Sequence, residues 1–185
     1  MPDNDALAAL LARLSYREGD FTLSSGAKST FYLDAKQVSY HPEGVELVGN
    51  AVHAIARAFG AQAIGGPTLG ADAIVTSAVY ASARTGHPMT GFIVRKEAKK
   101  YGLGKWVEGV SPEGLKVVIV EDVVTSGASL FKAVEHVKEA GAHVVVATAL
   151  VDREQGGRET IEAAGIPFRP LCTLSQVRAH FDKSK

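Results

Sequence analysis

The 185-residue chain carries 20 basic and 20 acidic side chains, for a formal net charge of zero and a pI near 7.0. That balance gives no electrostatic reason to expect nucleic acid or an anionic membrane as the main partner, so any positive charge used in function must be local. A single cysteine, Cys172, excludes an intrachain disulfide framework and fits a reducing compartment; no Cys/His spacing suggests zinc, and no apolar run approaches a membrane span.

The length predicts one domain over residues 1–185, with an N-terminal helix and hood segment over 1–41 and an α/β core over 42–185. The acidic start Met1-Pro2-Asp3-Asn4-Asp5 leads into an amphipathic helix rather than a signal peptide, so the expected location is cytoplasmic. From Asp5 to Tyr16 the spacing of Leu7, Leu10, Leu11 and Leu14 predicts a helix with one apolar face. A hairpin-like region follows, with strands at Phe21–Leu23 and Thr30–Asp34 around the turn-forming Ser24-Ser25-Gly26-Ala27-Lys28-Ser29. From Pro42 the pattern alternates helix and strand, the sign of parallel βαβ units. Helices are predicted over Glu43–Phe59, Ala71–Arg84, Ser129–Ala140, Gly157–Ala164 and Leu174–Phe181, and strands over Ala61–Gly65, Thr90–Val94, Leu115–Val120, Val144–Val151 and Phe168–Leu171.

The most informative stretch is Val117-Val118-Ile119-Val120-Glu121-Asp122-Val123-Val124-Thr125-Ser126-Gly127-Ala128-Ser129. An apolar run of this kind fits a strand buried on both faces of a parallel sheet. It runs into two acids, and then into a small, hydroxyl-rich turn that opens a helical pattern. Backbone N–H groups at such a helix start point at an anion. Carboxylates beside a phosphate would repel it unless they bound sugar hydroxyls or a cation, so Glu121 and Asp122 suggest a ribose phosphate with a metal ion. The glycine spacings of a Walker loop and of a dinucleotide fingerprint are absent here, which argues against an NTPase and an NAD enzyme.

Three more segments fall at strand ends, where ligands of open sheets collect. Gly65-Gly66-Pro67-Thr68-Leu69-Gly70-Ala71-Asp72 could hold a diphosphate at Thr68, Leu69 and Gly70, or be an ordinary Gly-Pro turn. Arg95 to Trp106 places five cations within eleven residues beside two glycines, the composition of a basic lid that would close over an anion, although charge runs also occur as solvated loops. Beyond the Val144–Val151 strand, Asp152-Arg153-Glu154-Gln155-Gly156-Gly157 offers Arg153 for bidentate carboxylate binding, unless it pairs with the acids beside it. The six histidines show no ligand spacing and are read as structural or surface residues, and Trp106 as packing or as a base-stacking ring.

Glu121-Asp122-Val123-Val124-Thr125-Ser126-Gly127 resembles the phosphoribosyl diphosphate motif of the type I phosphoribosyltransferases. Arg95-Lys96-Glu97-Ala98-Lys99, Asp152 to Gly157, Cys172-Thr173-Leu174-Ser175, and Ser25-Gly26 with Ser29, Phe31-Tyr32 and Asp34 resemble the orotate branch in particular, so the resemblance runs from Phe21 to Leu174. It implies the type I phosphoribosyltransferase fold, a mostly parallel central sheet flanked by helices with a small N-terminal hood. It also implies transfer of the 5-phosphoribosyl group to N1 of orotate, with Mg²⁺ as cofactor held mainly by the substrate, in a homodimer whose lid, about residues 95–109, completes the partner's site. The implied roles follow the motifs. Glu121 and Asp122 hold the ribose hydroxyls and face the cationic ring, and Val123, Val124 and Thr125 to Ser129 line the phosphoribosyl diphosphate site, with Thr125, Ser126, Gly127, Ala128 and Ser129 clasping the 5-phosphate. Arg95, Lys96 and Lys99 grip the diphosphate, Lys99 and Tyr101 stabilise the leaving group, and Thr125, Arg153, Phe31 and Tyr32 contact orotate.

Two positions depart from many members of that family. Ser24 stands where a lysine is common, so an orotate contact there would come from Lys28 or from backbone groups. Tyr101 stands where a histidine is common; a phenol that titrates near 10 suits hydrogen-bond donation better than proton transfer at neutral pH. A transferase for another base such as adenine would keep the acid pair but have no use for Arg153. A non-catalytic regulator on the same fold would need a DNA-binding domain or a basic RNA face, and neither is evident in this sequence.

Overall fold

The computed structural model describes residues 4–22, 26, 28–97, 106–183 and 185. Two sheets are present among them, a two-stranded antiparallel ribbon and a six-stranded, mostly parallel sheet whose strands stand in the order Val107–Gly109 (β5), Thr90–Val94 (β4), Ala63–Pro67 (β3), Lys116–Val124 (β6), His143–Asp152 (β7) and Cys172–Thr173 (β8).

The leucine stripe makes helix α1, Asp5–Leu14, which buries Leu7, Leu10 and Leu11. It stops before the expected Tyr16 because that residue opens strand β1, Tyr16–Thr22, paired with β2, Lys28–Leu33. Tyr16 is fully buried and stacked 5.8 Å from Phe31, a tertiary contact that holds it in the ribbon; a continued helix would have carried it to the face opposite the leucines. β1 is longer than the expected strand because Arg17, Glu18, Gly19 and Asp20 are exposed along it, and the register shifts between Glu18 and Phe21, which leaves no alternation to read. Asp34 then accepts the Lys36 N–H at 3.2 Å and starts the one-turn helix α2, Lys36–Ser39, too short for a periodic signal.

Helix α3, Pro42–Ala58, begins with proline in its first turn, where a missing N–H costs nothing. The βαβ alternation then unfolds as read, with shifted ends: β3 Ala63–Pro67, α4 Asp72–Ala83, β4 Thr90–Val94, β6 Lys116–Val124, α5 Ala128–Glu139, β7 His143–Asp152, α6 Gly157–Ala163 and α7 Leu174–Lys183. The three-residue β5, Val107–Gly109, was not expected; it adds antiparallel to the edge at β4 and carries a glutamate and a glycine instead of an apolar run. The strand expected at Phe168–Leu171 is reduced to one bridge, Ala147 to Phe168, and the edge pairing falls instead on β8, Cys172–Thr173.

Both faces of the sheet are covered. Val117 and Ile119 join a core with α5 and α6, while Val118 and Val120 join the larger core shared with α1, α3, α4 and α7. Burial on both faces is why β6 reads as an unbroken Val/Ile run. The apolar reading ended β6 at Val120, but pairing with β7 carries it through Glu121↔Ala149 to Val124↔Asp152. The acid pair therefore belongs to the strand itself. Among the described residues, no helix is long and apolar enough to cross a membrane.

Candidate active site

The strand order reverses between β3 and β6: the chain leaves β3 through α4 toward β4, and leaves β6 through α5 toward β7. The loops beyond the two strands part there and open a crevice at their carboxyl ends. β3 pairs with β6 only from Ala63↔Val117 to Gly65↔Ile119. Just beyond, Gly66 lies so close to β6 that a Cβ would strike the Val120 carbonyl and the Ala71 methyl. The loop that follows holds Thr68, whose N–H donates to the Val94 carbonyl at 2.9 Å and whose hydroxyl donates to Asp72 at 3.0 Å. Its Thr68–Leu69 peptide bond is cis, Leu69 is 67% exposed, and Gly70 lies directly against the Asp122 carboxylate. A side chain at Gly70 would displace that carboxylate.

Strand alternation sends the two acids to opposite faces. Asp122 leaves on the α4 side, where Oδ1 accepts the Val123 N–H at 2.9 Å and Oδ2 accepts from Lys36 Nζ at 3.3 Å. Glu121 leaves on the α5 side and is buried beneath the start of that helix, taking hydrogen bonds from the Ser129 side chain and the Leu130 N–H. Burial, which the neighbouring Asp122 charge reinforces against those two hydrogen bonds, pushes Glu121 up to about 7. Below the ordinary value of 4.5 both folded and unfolded states hold the proton. Between 4.5 and about 7 the unfolded state loses it first, so this group's contribution to stability falls as pH rises, by on the order of 3 kcal/mol over the window. The thermal midpoint is accordingly expected to fall relative to that of Glu121→Gln between pH 4.5 and 8. Parallel curves for the two proteins would remove burial as the cause.

The turn after β6 supplies the anion cradle. Gly127 is left-handed, with φ 80°, and caps α5, whose first turn has no side-chain cap. Apart from the Leu130 N–H, which Glu121 takes, the N–H groups of this helix start are open to a ligand beside the exposed Thr125, Ser126, Ala128 and Ser129. Val124 is buried and Val123 packs against the larger core, so only their main chain could meet a ligand. Across from the helix start, Arg95, Lys96, Ser129 and Lys132 line a cavity of about 620 Å³ with Pro67 and Trp106. The Arg95 N–H donates to the Trp106 carbonyl at 2.8 Å, and its guanidinium pairs with Glu108 at 3.1 Å. Trp106 stacks flat on His136, 3.8 Å away, which makes it a packing residue in this conformation. Lys99, Tyr101, Ser24 and Ser25 lie outside the described residues.

On the far side of β6, the Arg153 N–H donates to the Val124 carbonyl at 2.9 Å. The acids that could have neutralised this arginine are engaged elsewhere. Asp152 is buried, accepts the Glu154 N–H and pairs with Arg158 at 3.4 Å. Glu154, left-handed at φ 57°, accepts both the N–H and the hydroxyl of Ser175, at 2.8 and 2.6 Å. Arg153 lies 4.9 Å above the Phe31 ring with Nε buried and unbonded, and Arg178 sits 4.6 Å from the same ring. Burial and the repulsion of Arg178 lower the Arg153 pKa, so the pair is a cationic locus prepared for an anion. Phe31 and Tyr32 leave β2 on opposite faces: Phe31 is buried under the arginines, whereas Tyr32 is 45% exposed and packs on Phe21. The sequence reading missed Lys36 and Arg178, and named Ser175 within the Cys172–Ser175 end without giving it a role. Ser175 and Arg178 lie one turn apart on α7, a spacing that was open to reading; Lys36 sits on a helix too short to give any signal.

Residues 77–164 match the phosphoribosyl transferase domain family, and with the switch-point crevice this defines the class as a type I phosphoribosyltransferase. The resemblance is closer within that class. The chain is 42% identical to orotate phosphoribosyltransferases of a Nostoc species over 178 residues (96% of this chain, 86% of the other) and of Aquifex aeolicus over 180 residues (96% and 98%). It superimposes with a TM-score of 0.81, at 34% identity, on the Mycobacterium tuberculosis orotate phosphoribosyltransferase in complex with 5-phospho-α-D-ribosyl 1-diphosphate, covering 96% of this chain and 99% of that one. The chain belongs to the orotate phosphoribosyltransferase family.

Proposed function

We infer that this protein transfers the 5-phosphoribosyl group from 5-phospho-α-D-ribose 1-diphosphate to N1 of orotate, forming orotidine 5′-monophosphate and diphosphate in pyrimidine biosynthesis. The observation that carries the orotate assignment is Arg153, a half-buried guanidinium without a paired carboxylate among the described residues, immediately beyond the end of β7, the strand next to the one that leads to the phosphate cradle. A base without a carboxylate would leave that cation unmatched.

The reaction is a displacement at the anomeric carbon. Positive charge grows on the ribose ring as negative charge collects on the diphosphate, so the site must serve both. The α5 N-terminus, from Thr125 to Ser129, receives the 5-phosphate. Asp122 accepts ribose hydroxyls, while Glu121, from beneath the cradle, adds negative potential when ionised. The loop of Thr68, Leu69 and Gly70 receives the diphosphate through the main-chain N–H groups of Leu69 and Gly70, since that of Thr68 is held by Val94, with Arg95 and Lys96 at the edge of the same crevice. Lys99 and Tyr101 act on the leaving group. Orotate ionises readily at N1, and its carboxylate takes the fork of Arg153 over Phe31, with Thr125 near the base. No group of three or more acids, histidines or cysteines that could hold a metal occurs among the described residues. Mg²⁺, held mainly by the substrate's own oxygens, would neutralise diphosphate charge there. The same reading makes the chain one catalytic unit over residues 1–185, acting in the cytoplasm as a homodimer in which each lid serves the partner's site.

The direct test is loss of orotate absorbance on adding phosphoribosyl diphosphate and Mg²⁺, with adenine, hypoxanthine and uracil in parallel. Turnover of orotate alone is expected. Turnover of another base would keep the phosphate site and overturn the base assignment, and tight substrate binding without turnover would point to a regulator. Ser175→Ala removes the hydroxyl that fixes Glu154 beside Arg153, and should raise the KM for orotate roughly fivefold to tenfold. The KM for phosphoribosyl diphosphate should stay unchanged; equal rises in both would mean a general loosening.

A further inference from the structure

We propose that Lys36 is a further catalytic residue, a cation that the N-terminal segment delivers to the departing diphosphate; this rests on the reading of the crevice as a phosphoribosyl diphosphate site. Lys36 Nζ lies 3.2 Å from Asp34 Oδ1 and 3.3 Å from Asp122 Oδ2. Asp34 follows β2 and Lys36 opens α2, so an ammonium borne by the hairpin side reaches an acid of the central sheet. The same Asp122 carboxylate lies against Gly70, in the loop after β3. Lys36 is therefore one carboxylate away from the loop assigned to diphosphate. Lys28, the other hood cation considered, instead donates to Thr22 at 2.8 Å within the ribbon.

The Lys36 side chain is 48% exposed, so solvent screens the ion pair and leaves it weak. It is a weak staple and opens readily when better partners arrive. Substrate brings both at once, because ribose hydroxyls require Asp122 as acceptor and diphosphate oxygens require cations. Exchange satisfies all four groups: Asp122 takes the hydroxyls, and Lys36 Nζ donates to a diphosphate oxygen while Asp34 keeps the chain in place. As the C1–O bond breaks, its electron pair passes to the diphosphate and strengthens the hydrogen bond from Lys36. The new C1–N1 bond takes its pair from the orotate N1 anion, and no proton passes through the lysine.

Steady-state kinetics of the wild type, Lys36→Met and Lys36→Arg test this, together with calorimetric binding of inorganic diphosphate with Mg²⁺. Methionine should lower kcat by roughly 30-fold or more, leave the KM for orotate within roughly twofold, and weaken diphosphate binding, while arginine restores part of each. The thermal midpoint should barely move, since a surface pair is lost. Unchanged kcat and diphosphate affinity in Lys36→Met would overturn the proposal, as would losses that arginine does not relieve. A wild type inert toward orotate would instead remove the base assignment, and the calorimetric comparison would still decide the role of Lys36.

Discussion

Arg153→Ala is expected to raise the KM for orotate roughly 100-fold while leaving that for phosphoribosyl diphosphate within roughly twofold. A charge-assisted pair to a carboxylate, made bidentate by the planar fork, contributes about 3 kcal/mol when both groups are desolvated. Arg153 meets those conditions: it is half-buried over Phe31, its Nε has no partner, and Asp152 and Glu154 are bound to Arg158 and Ser175 instead. Lysine should rescue little, because an ammonium cannot reproduce the fork or stack on the ring. Initial rates over a matrix of both substrates separate the effects. A fall in kcat with both KM values unchanged would move Arg153 out of ground-state binding of the base.

Gly66→Ala should destabilise the protein by about 3 kcal/mol, seen as a thermal midpoint roughly 6–12 °C lower. The added methyl would meet the Val120 carbonyl, a backbone atom of the central strand that cannot rotate aside as a side chain would. Relief requires β3 and β6 to part just where the crevice begins, so the surviving folded fraction should also bind phosphoribosyl diphosphate less tightly. An unaltered midpoint in thermal denaturation would show that the two strands can separate there without penalty.

The core elements were legible because their signals are strong and local. The Val/Ile run of β6, the hydroxyl turn and the start of α5 announce a strand, an anion cradle and a helix within a single segment, and Thr90–Val94 has the same ends in sequence and structure. Elements that depend on tertiary partners were not legible. Tyr16 closes the segment expected as α1, yet it leaves the helix to stack on Phe31, and β5 exists only because β4 offers an open edge. Within the site, residue types and order could be read from spacing, but facing could not. Whether Arg153 is neutralised by its neighbours depends on Ser175 and Arg158. The partner of Asp122 comes from a one-turn helix 86 residues earlier in the chain.

The placement of the two acids on opposite faces of β6 makes the site sensitive to parity. Losing or gaining one residue between Lys116 and Val120 would leave a strand of nearly the same composition, still Val-rich and still able to pair. Each acid, however, would trade places with the other: the buried, proton-holding carboxylate would turn toward Gly70 and Lys36, and the ion-paired one would be driven under α5. A surface loop can change length without carrying a side chain to another layer, but a single step along this strand exchanges the surroundings of the two acids. An aligner that slides a gap into β6 to improve a score would therefore exchange two chemically different groups while matching every letter around them.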